Sequence, residues 1–94
     1  RDLEVNLYRK VATLNGHELR LTARELDLLI LFITNRGKVF TRRQLLETIW
    51  DPEFEGDDRT VDVHIRRLRE KIERNTSEPE YIMTKWGVGY YLKG

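Results

Sequence analysis

The run Arg59-Thr-Val-Asp-Val-His-Ile-Arg-Arg-Leu-Arg-Glu-Lys-Ile72 decides how the rest of the chain is read. At about 100 degrees per residue, Val61, Ile65, Leu68 and Ile72 fall on one side of a helix and make a single apolar stripe. Arg59, Val63, Arg66 and Glu70 fall opposite, with Thr60 and Arg67 at the flank. Between Arg59 and Arg74 six basic residues stand against three acidic ones, and Val63 is a lone apolar residue among arginines. Such a residue gains nothing from water.

Upstream lies a stretch of opposite charge, with Asp51, Glu53, Glu55, Asp57 and Asp58 and no basic residue. Asp58 is expected to cap the helix that follows. Before this stretch, Thr41-Arg-Arg-Gln44 reads as a capping box for a helix bearing Leu45, Leu46, Ile49 and Trp50, which Asp51-Pro52 ends. Thr22-Ala-Arg-Glu25 opens an earlier helix by the same logic, and Arg36-Gly37 closes it. The middle of that helix, Leu26 to Ile33, is apolar nearly all round, so it must be covered on more than one side. Val39-Phe40 is a short extended link.

At the N-terminus Leu3, Val5 and Leu7, then Val11 and Thr13, then Leu19 and Leu21 alternate as strands do, with Asn15-Gly16 as a hairpin turn. This predicts an antiparallel meander of three or four strands. At the other end, Tyr81 to Thr84, Gly87-Val88-Gly89 and Tyr90 to Leu92 predict a terminal hairpin. Tyr90 and Tyr91 point to opposite faces, one inward and one outward.

Two capped helices, a third basic amphipathic helix and a Gly-turned hairpin make an α+β winged helix-turn-helix with an N-terminal antiparallel sheet. In that architecture the third helix can enter the major groove of double-stranded DNA, Val63 touching a thymine methyl and Arg66 or Arg67 reaching guanine or phosphate. The eight residues from Asp51 to Asp58 exceed the three or four of an ordinary helix-turn-helix, which gives this turn room for another task.

Ninety-four residues, 39% of them apolar, suffice for one domain over 1–94 and leave no room for a second core. Seventeen basic and 16 acidic residues nearly cancel, so the net charge of +1 hides the segregation described above. With no cysteine and two histidines, no metal site and no cofactor are expected. The longest apolar run, Leu28 to Ile33, is far short of the roughly 20 residues of a membrane span. The chain opens on Arg1 with no signal pattern, so a piece of a longer cytoplasmic protein is expected.

Four segments resemble the DNA-binding effector domain of OmpR/PhoB-type response regulators. They are Leu-Thr-x-x-Glu-x-x-Leu-Leu at 21–29, Arg-x-x-Leu-Leu-x-x-Ile-Trp at 42–50, the third-helix run at 59–72 and Gly-Val-Gly-Tyr at 87–90. With the strands before them they cover essentially the whole chain. The resemblance implies a transcription regulator of a two-component phosphorelay: a four-stranded N-terminal sheet, three helices and a terminal hairpin. A phosphorylatable receiver domain, absent from this chain, and a cognate sensor kinase would complete it. It also implies binding to tandem direct repeats and contact with RNA polymerase through the loop holding Glu53, Phe54 and Glu55. By matching position, Val63 and Arg67 would meet bases. Thr60, His64, Arg66 and Arg69 would serve phosphates or groove edges, and Trp50 and Arg59 would approach the backbone. The wing departs from the pattern. The family commonly has arginine directly before the Gly-x-Gly-Tyr turn, where this chain has Trp86, with its cation one step earlier at Lys85. Strand neighbours face opposite ways, so Lys85 cannot simply replace that arginine, and whether the wing enters the minor groove stays open.

Two other classes compete. An enzyme is not expected, because Ser77 is the only serine, lies in a polar loop, and shares no segment with His17 or His64. A winged helix binding protein or RNA would show no appreciable affinity for duplex DNA, whereas a groove binder loses affinity steeply with salt. His64, beside the apolar stripe, is read as a phosphate donor, with a partly packed core residue as the alternative. Gly87-Val88-Gly89 lacks the third glycine of a dinucleotide loop and is a turn.

Overall fold

The computed structural model describes residues 3–51, 53–54 and 56–94. Among them are three helices and two three-stranded antiparallel sheets. The first sheet is β1 (Leu3–Asn6), β2 (Val11–Leu14) and β3 (His17–Glu18), in that order. Its register pairs Leu3 with Leu14 and Val5 with Ala12, which puts those four side chains on the core face. The sequence pattern had pointed to Val11 and Thr13 as the apolar beat of β2. The turn explains the difference: Asn15 and Gly16 both hold positive φ, at 52° and 84°, and this tight connection sets Leu14 opposite His17. Leu7 leaves the strand for the β1–β2 turn and is exposed. A fourth strand of this sheet is not found among the described residues.

Helix α1 (Ala23–Thr34) starts at the expected capping box. The Glu25 N–H donates to the Thr22 hydroxyl at 3.2 Å and the Thr22 N–H donates back to the Glu25 carboxylate at 2.9 Å. Leu28, Leu29 and Phe32 are buried, and α1 is the central helix of the core. Helix α2 (Arg42–Ile49) repeats the device with Thr41 and Gln44, and Trp50 is its C-terminal cap. Helix α3 (Asp58–Ile72) buries Val61, Ile65, Leu68 and Ile72, the stripe read from the sequence. Its cap is Asp57 rather than Asp58. Asp57 is extended and its carboxylate accepts the Arg59 N–H at 3.0 Å, while Asp58 lies in the first turn, where a negative charge meets the positive helix end.

The second sheet is β4 (Phe40–Thr41), β6 (Gly89–Leu92) and β5 (Ile82–Lys85), in that order. Strand β4 is the segment expected to be a link; it pairs with β6 and so ties the wing to the start of α2. Gly89 permits this, because a Cβ there would collide with the Phe40 carbonyl oxygen. Phe40 then meets Phe32 edge to face, with ring centroids 6.0 Å apart, joining the wing to α1.

Candidate nucleic-acid interface

The outward face of α3 presents Arg59, Val63, Arg66 and Arg67, all exposed, with Val63 at 40%. Arg59 turns back on its own cap, its guanidinium Nη2 lying 3.1 Å from the Asp57 carboxylate, and this bond with Arg59 holds the Asp57 carboxyl below its ordinary range. Arg66 and Arg67 make no hydrogen bond or ion pair among the described residues. They are the cations of this face left free for a partner.

Beside that face runs an open cleft of about 510 Å³ between the start of α2, the flank of α3 and the wing. Arg42, Arg43, Asp58, Asp62, Lys85 and Trp86 line it. Asp62 is its internal anchor: it accepts from Arg42 at 3.0 Å and from the Tyr90 hydroxyl at 2.6 Å, joining three elements at one carboxylate. Burial first, and then the bond to Asp62, pushes the Tyr90 phenol up to about 12. Arg69 lies 5.3 Å over the Tyr90 ring and donates to the Ile82 carbonyl at 2.8 and 3.1 Å and to the Thr84 hydroxyl at 2.7 Å. Burial pulls this guanidinium below its ordinary value, against the opposing charges of Tyr90 and Glu73.

The structure distributes the sequence-predicted residues unevenly. Val63, Arg66, Arg67 and Thr60 share one side of α3, and Lys85 and Trp86 stand beside the cleft. Trp50, expected to approach a DNA backbone, is 7% exposed and belongs to the core. Its ring packs edge-on against His64 at 5.0 Å, with the Arg24 guanidinium 5.9 Å above it. Arg69, expected at phosphates or groove edges, is bonded to the wing instead. His64 Nδ1 lies 2.8 Å from the Thr60 carbonyl, which can only accept, so this nitrogen carries the proton.

In the acidic loop the Phe54 ring tilts over Trp50 at 6.4 Å and remains half exposed, and the Asp51 carboxylate accepts the Glu53 N–H at 2.8 Å. Glu55 lies outside the described residues. Of the two tyrosines, Tyr90 packs against the core and serves the Asp62 anchor.

Four contributors escaped sequence reasoning. Arg42 and Arg43 were absorbed into a capping motif, although their place in the first turn of α2 puts them beside α3. Glu73 is the C-cap of α3, its backbone N–H donating to the Arg69 carbonyl, and its buried carboxylate accepts the Glu80, Tyr81 and Ile82 N–H groups at 2.7 to 3.2 Å. No local pattern marks a bond that spans seven to nine residues. Lys71 reaches 2.6 Å across to the buried Glu25, tying α3 to α1.

This is the geometry of a winged-helix reader: a free basic helix face, a stiffened hairpin and a cationic cleft between them. The chain belongs to the family described as the C-terminal domain of transcriptional regulatory proteins, which it matches over residues 16–92. Its fold is that of OmpR/PhoB-type response regulators. The transcriptional regulatory protein YcbL of Bacillus subtilis is 50% identical over 78 residues, covering 83% of this chain and 34% of that protein. The Thermotoga maritima response regulator DrrB, an OmpR/PhoB homolog, superposes with a TM-score of 0.93 at 39% identity, over 100% of this chain and 42% of DrrB. The Klebsiella pneumoniae RstA DNA-binding domain, solved in complex with the RstA box, gives a TM-score of 0.88 at 31% identity, over 99% of this chain and 92% of that one. The chain thus spans about a third of the length of YcbL and under half of DrrB.

Proposed function

We propose that this chain is the sequence-specific, double-stranded DNA-binding output domain of a two-component response regulator. The observation that carries this reading is that Arg66 and Arg67 are free on the outer face of α3 around an exposed Val63, while the other α3 cations Arg59, Arg69 and Lys71 are bonded within the domain. Helix α3 lies in the major groove, where Arg67 and Val63 meet base edges and Arg66 holds a phosphate. Arg43 and Lys85 line the cleft next to it and face the backbone. The RstA domain, bound to its box, supports the same use of this fold.

Further proposals concern the whole protein. A receiver domain, phosphorylated by a sensor kinase in the cytoplasm, would precede this domain, and two copies would occupy tandem direct repeats. Glu53, Phe54 and Glu55 would meet RNA polymerase, since a solvated acidic loop beside bound DNA suits a basic patch on a protein partner.

The test is a selection of bound duplexes from a random pool, followed by affinity measurements on the selected and a scrambled duplex. Arg67→Ala is expected to weaken the selected duplex by about 1–3 kcal/mol with little change on the scrambled one, and Arg66→Ala to weaken both alike. Equal losses on both duplexes for Arg67→Ala would remove it as base reader, and no enrichment from the pool would refute the function itself.

A further inference from the structure

Glu70 is an exposed carboxylate on the face of α3 that Val63, Arg66 and Arg67 occupy. Seven residues are nearly two full turns, so Glu70 returns to within about 20 degrees of the Val63 direction, about 10 Å further along the helix. Seen down the axis, it stands between Arg66 and Arg67. The other carboxylates of this helix have tasks inside the fold: Asp58 meets the helix N-terminus, Asp62 accepts from Arg42 and Tyr90, and Glu73 at the cap accepts the amides that open the wing. Glu70 makes no hydrogen bond or ion pair among the described residues.

Its position is a poor one for the helix alone. Glu70 lies in the last turn, where a carboxylate meets the negative end of the helix dipole, and the cations beside it there, Arg69 and Lys71, are bonded to Ile82, Thr84 and Glu25. Arg66 precedes it by four residues, the weaker order for a helical ion pair, and Arg74 lies past the extended cap at Glu73. Nothing in the domain offsets the charge. Against DNA it would also meet phosphates unless a donor faces it, and in the major groove the exocyclic donors are the amino groups of cytosine and adenine. A carboxylate only accepts, so it matches the cytosine N4 amino group and is repelled by the oxygens of guanine and thymine.

We propose that Glu70 is a base-reading residue of the major-groove site, accepting from a cytosine amino group beside the base that Arg67 reads. This rests on the DNA-binding reading above and adds to it a specificity determinant of opposite charge. With α3 along the groove, Arg67 and Glu70 are about 4.5 Å apart, little more than one base step, and Val63 lies about three base steps from Glu70. The carboxylate acts by exclusion as well as attraction, because thymine at that place sets its O4 oxygen against Glu70. Arg66 and Arg67 keep the face cationic overall.

The probes are duplexes selected from a random pool by the parent chain, by Arg67→Ala and by Glu70→Ala, the Arg67→Ala pool marking the base that Arg67 reads. The parent is expected to enrich cytosine beside that base, and Glu70→Ala to lose this one preference while keeping the others. Affinities are then measured by anisotropy of the labelled duplex, once with the C·G pair and once with T·A in its place. The parent is expected to lose on the order of tenfold on the exchange, and Glu70→Ala to bind the two duplexes within about twofold of each other. Glu70→Gln, whose amide accepts from cytosine or donates to thymine, is expected to bind both alike as well. Both variants are expected to melt no lower than the parent, and a clear fall in both would overturn the premise that Glu70 is free of the fold. An equal gain on every duplex, with a steeper salt slope and unchanged preferences, overturns the proposal, since Glu70 would then only repel phosphates. So does loss of the Arg67 preference in Glu70→Ala, which would make the carboxylate a positioning residue for that arginine. A parent chain that enriches nothing from the pool refutes the DNA reading itself, whereas enrichment that Glu70→Ala leaves untouched refutes the cytosine reading alone.

Discussion

Replacing Glu73 by alanine tests how the wing is fixed to the recognition helix. Glu73 is 8% exposed, and its carboxylate accepts three backbone N–H groups, from Glu80 at 2.7 Å, Tyr81 at 3.1 and 3.2 Å and Ile82 at 2.9 Å. A hydrogen bond to a charged acceptor contributes about 1.5–3 kcal/mol, and a buried donor left unmade costs about 1–3 kcal/mol. Glu80 is exposed and Tyr81 half-buried, so water can replace much of what their amides lose, whereas the Ile82 amide sits at a buried position. Full loss at Ile82 and partial loss at the other two gives about 3–4 kcal/mol. For a domain of this size that is roughly a 15–20 °C fall in melting temperature. Glu73→Gln keeps one acceptor oxygen but turns an amino group on the donors, and about half the loss is expected. The assay is thermal unfolding by circular dichroism, with DNA affinity measured well below the transition of each variant. Because the wing is held to α3 here, the alanine variant is also expected to bind the selected duplex more weakly while still folded. A melting temperature within about 4 °C of the parent would refute the reasoning, since it would mean that the amides find partners of equal worth without the carboxylate.

Two pH predictions follow from buried groups. With the Tyr90 phenol pushed up to about 12 against about 10 in the unfolded chain, its contribution is fully present below pH 10 and is lost as pH rises from 10 to 12. Tyr90→Phe is expected to lower stability at neutral pH and to flatten that alkaline loss, and parallel stability profiles for the two proteins would reject the assignment. Burial pushes the Glu25 carboxyl up, but the Lys71 bond and the Thr22 amide outweigh it and leave Glu25 below its ordinary value. Its stabilisation is therefore present above the unfolded value of about 4.3 and lost as pH falls below it. Lys71→Met removes the main opposing influence, so the variant is expected to be less stable at neutral pH and to lose less than the parent as pH falls through the carboxylate range, and parallel acid stability profiles for the two proteins would count against the pair.

Local rules reached most of the fold because most of its elements have local causes. The capping boxes at Thr22 and Thr41 and the apolar stripe of α3 are written within a few residues, and the structure reproduces them. Where distant segments meet, the pattern was silent. Strand β4 exists because Gly89 lets Phe40 approach, and the inward face of β2 was set by turn geometry rather than by which residues were more apolar. The candidate interface divides the same way. Helical periodicity placed Val63, Arg66 and Arg67 on one face. It could not show that Arg69 and Trp50 have partners inside the fold, because Ile82, Thr84 and Arg24 come from other parts of the chain.

That division of the cations leads to a salt dependence that can be measured. The segment from Arg59 to Arg74 holds six basic residues, and counting all of them as phosphate contacts would give log K against log salt a slope near −5. The structure removes three: Arg59 is paired with its cap, Arg69 with the wing and Lys71 with Glu25. Arg74 follows the end of α3, away from the cleft at its beginning. If Arg67 reads a base, the phosphate contacts left are Arg66 from α3 with Arg43 and Lys85 from the cleft, and a slope of about −3 is expected for one bound domain. Arg42 is the cation in reserve, held by Asp62. Asp62→Asn should release it, strengthen binding to the scrambled duplex more than to the selected one, and steepen the slope by about one. The mutation also weakens the Tyr90 anchor, so Tyr90→Phe serves as the control: it loosens the anchor without freeing a cation, and its slope should match the parent. A parent slope near −5 would show that the internal pairs open when DNA binds, and an unchanged slope in Asp62→Asn would show that Arg42 never faces the phosphates.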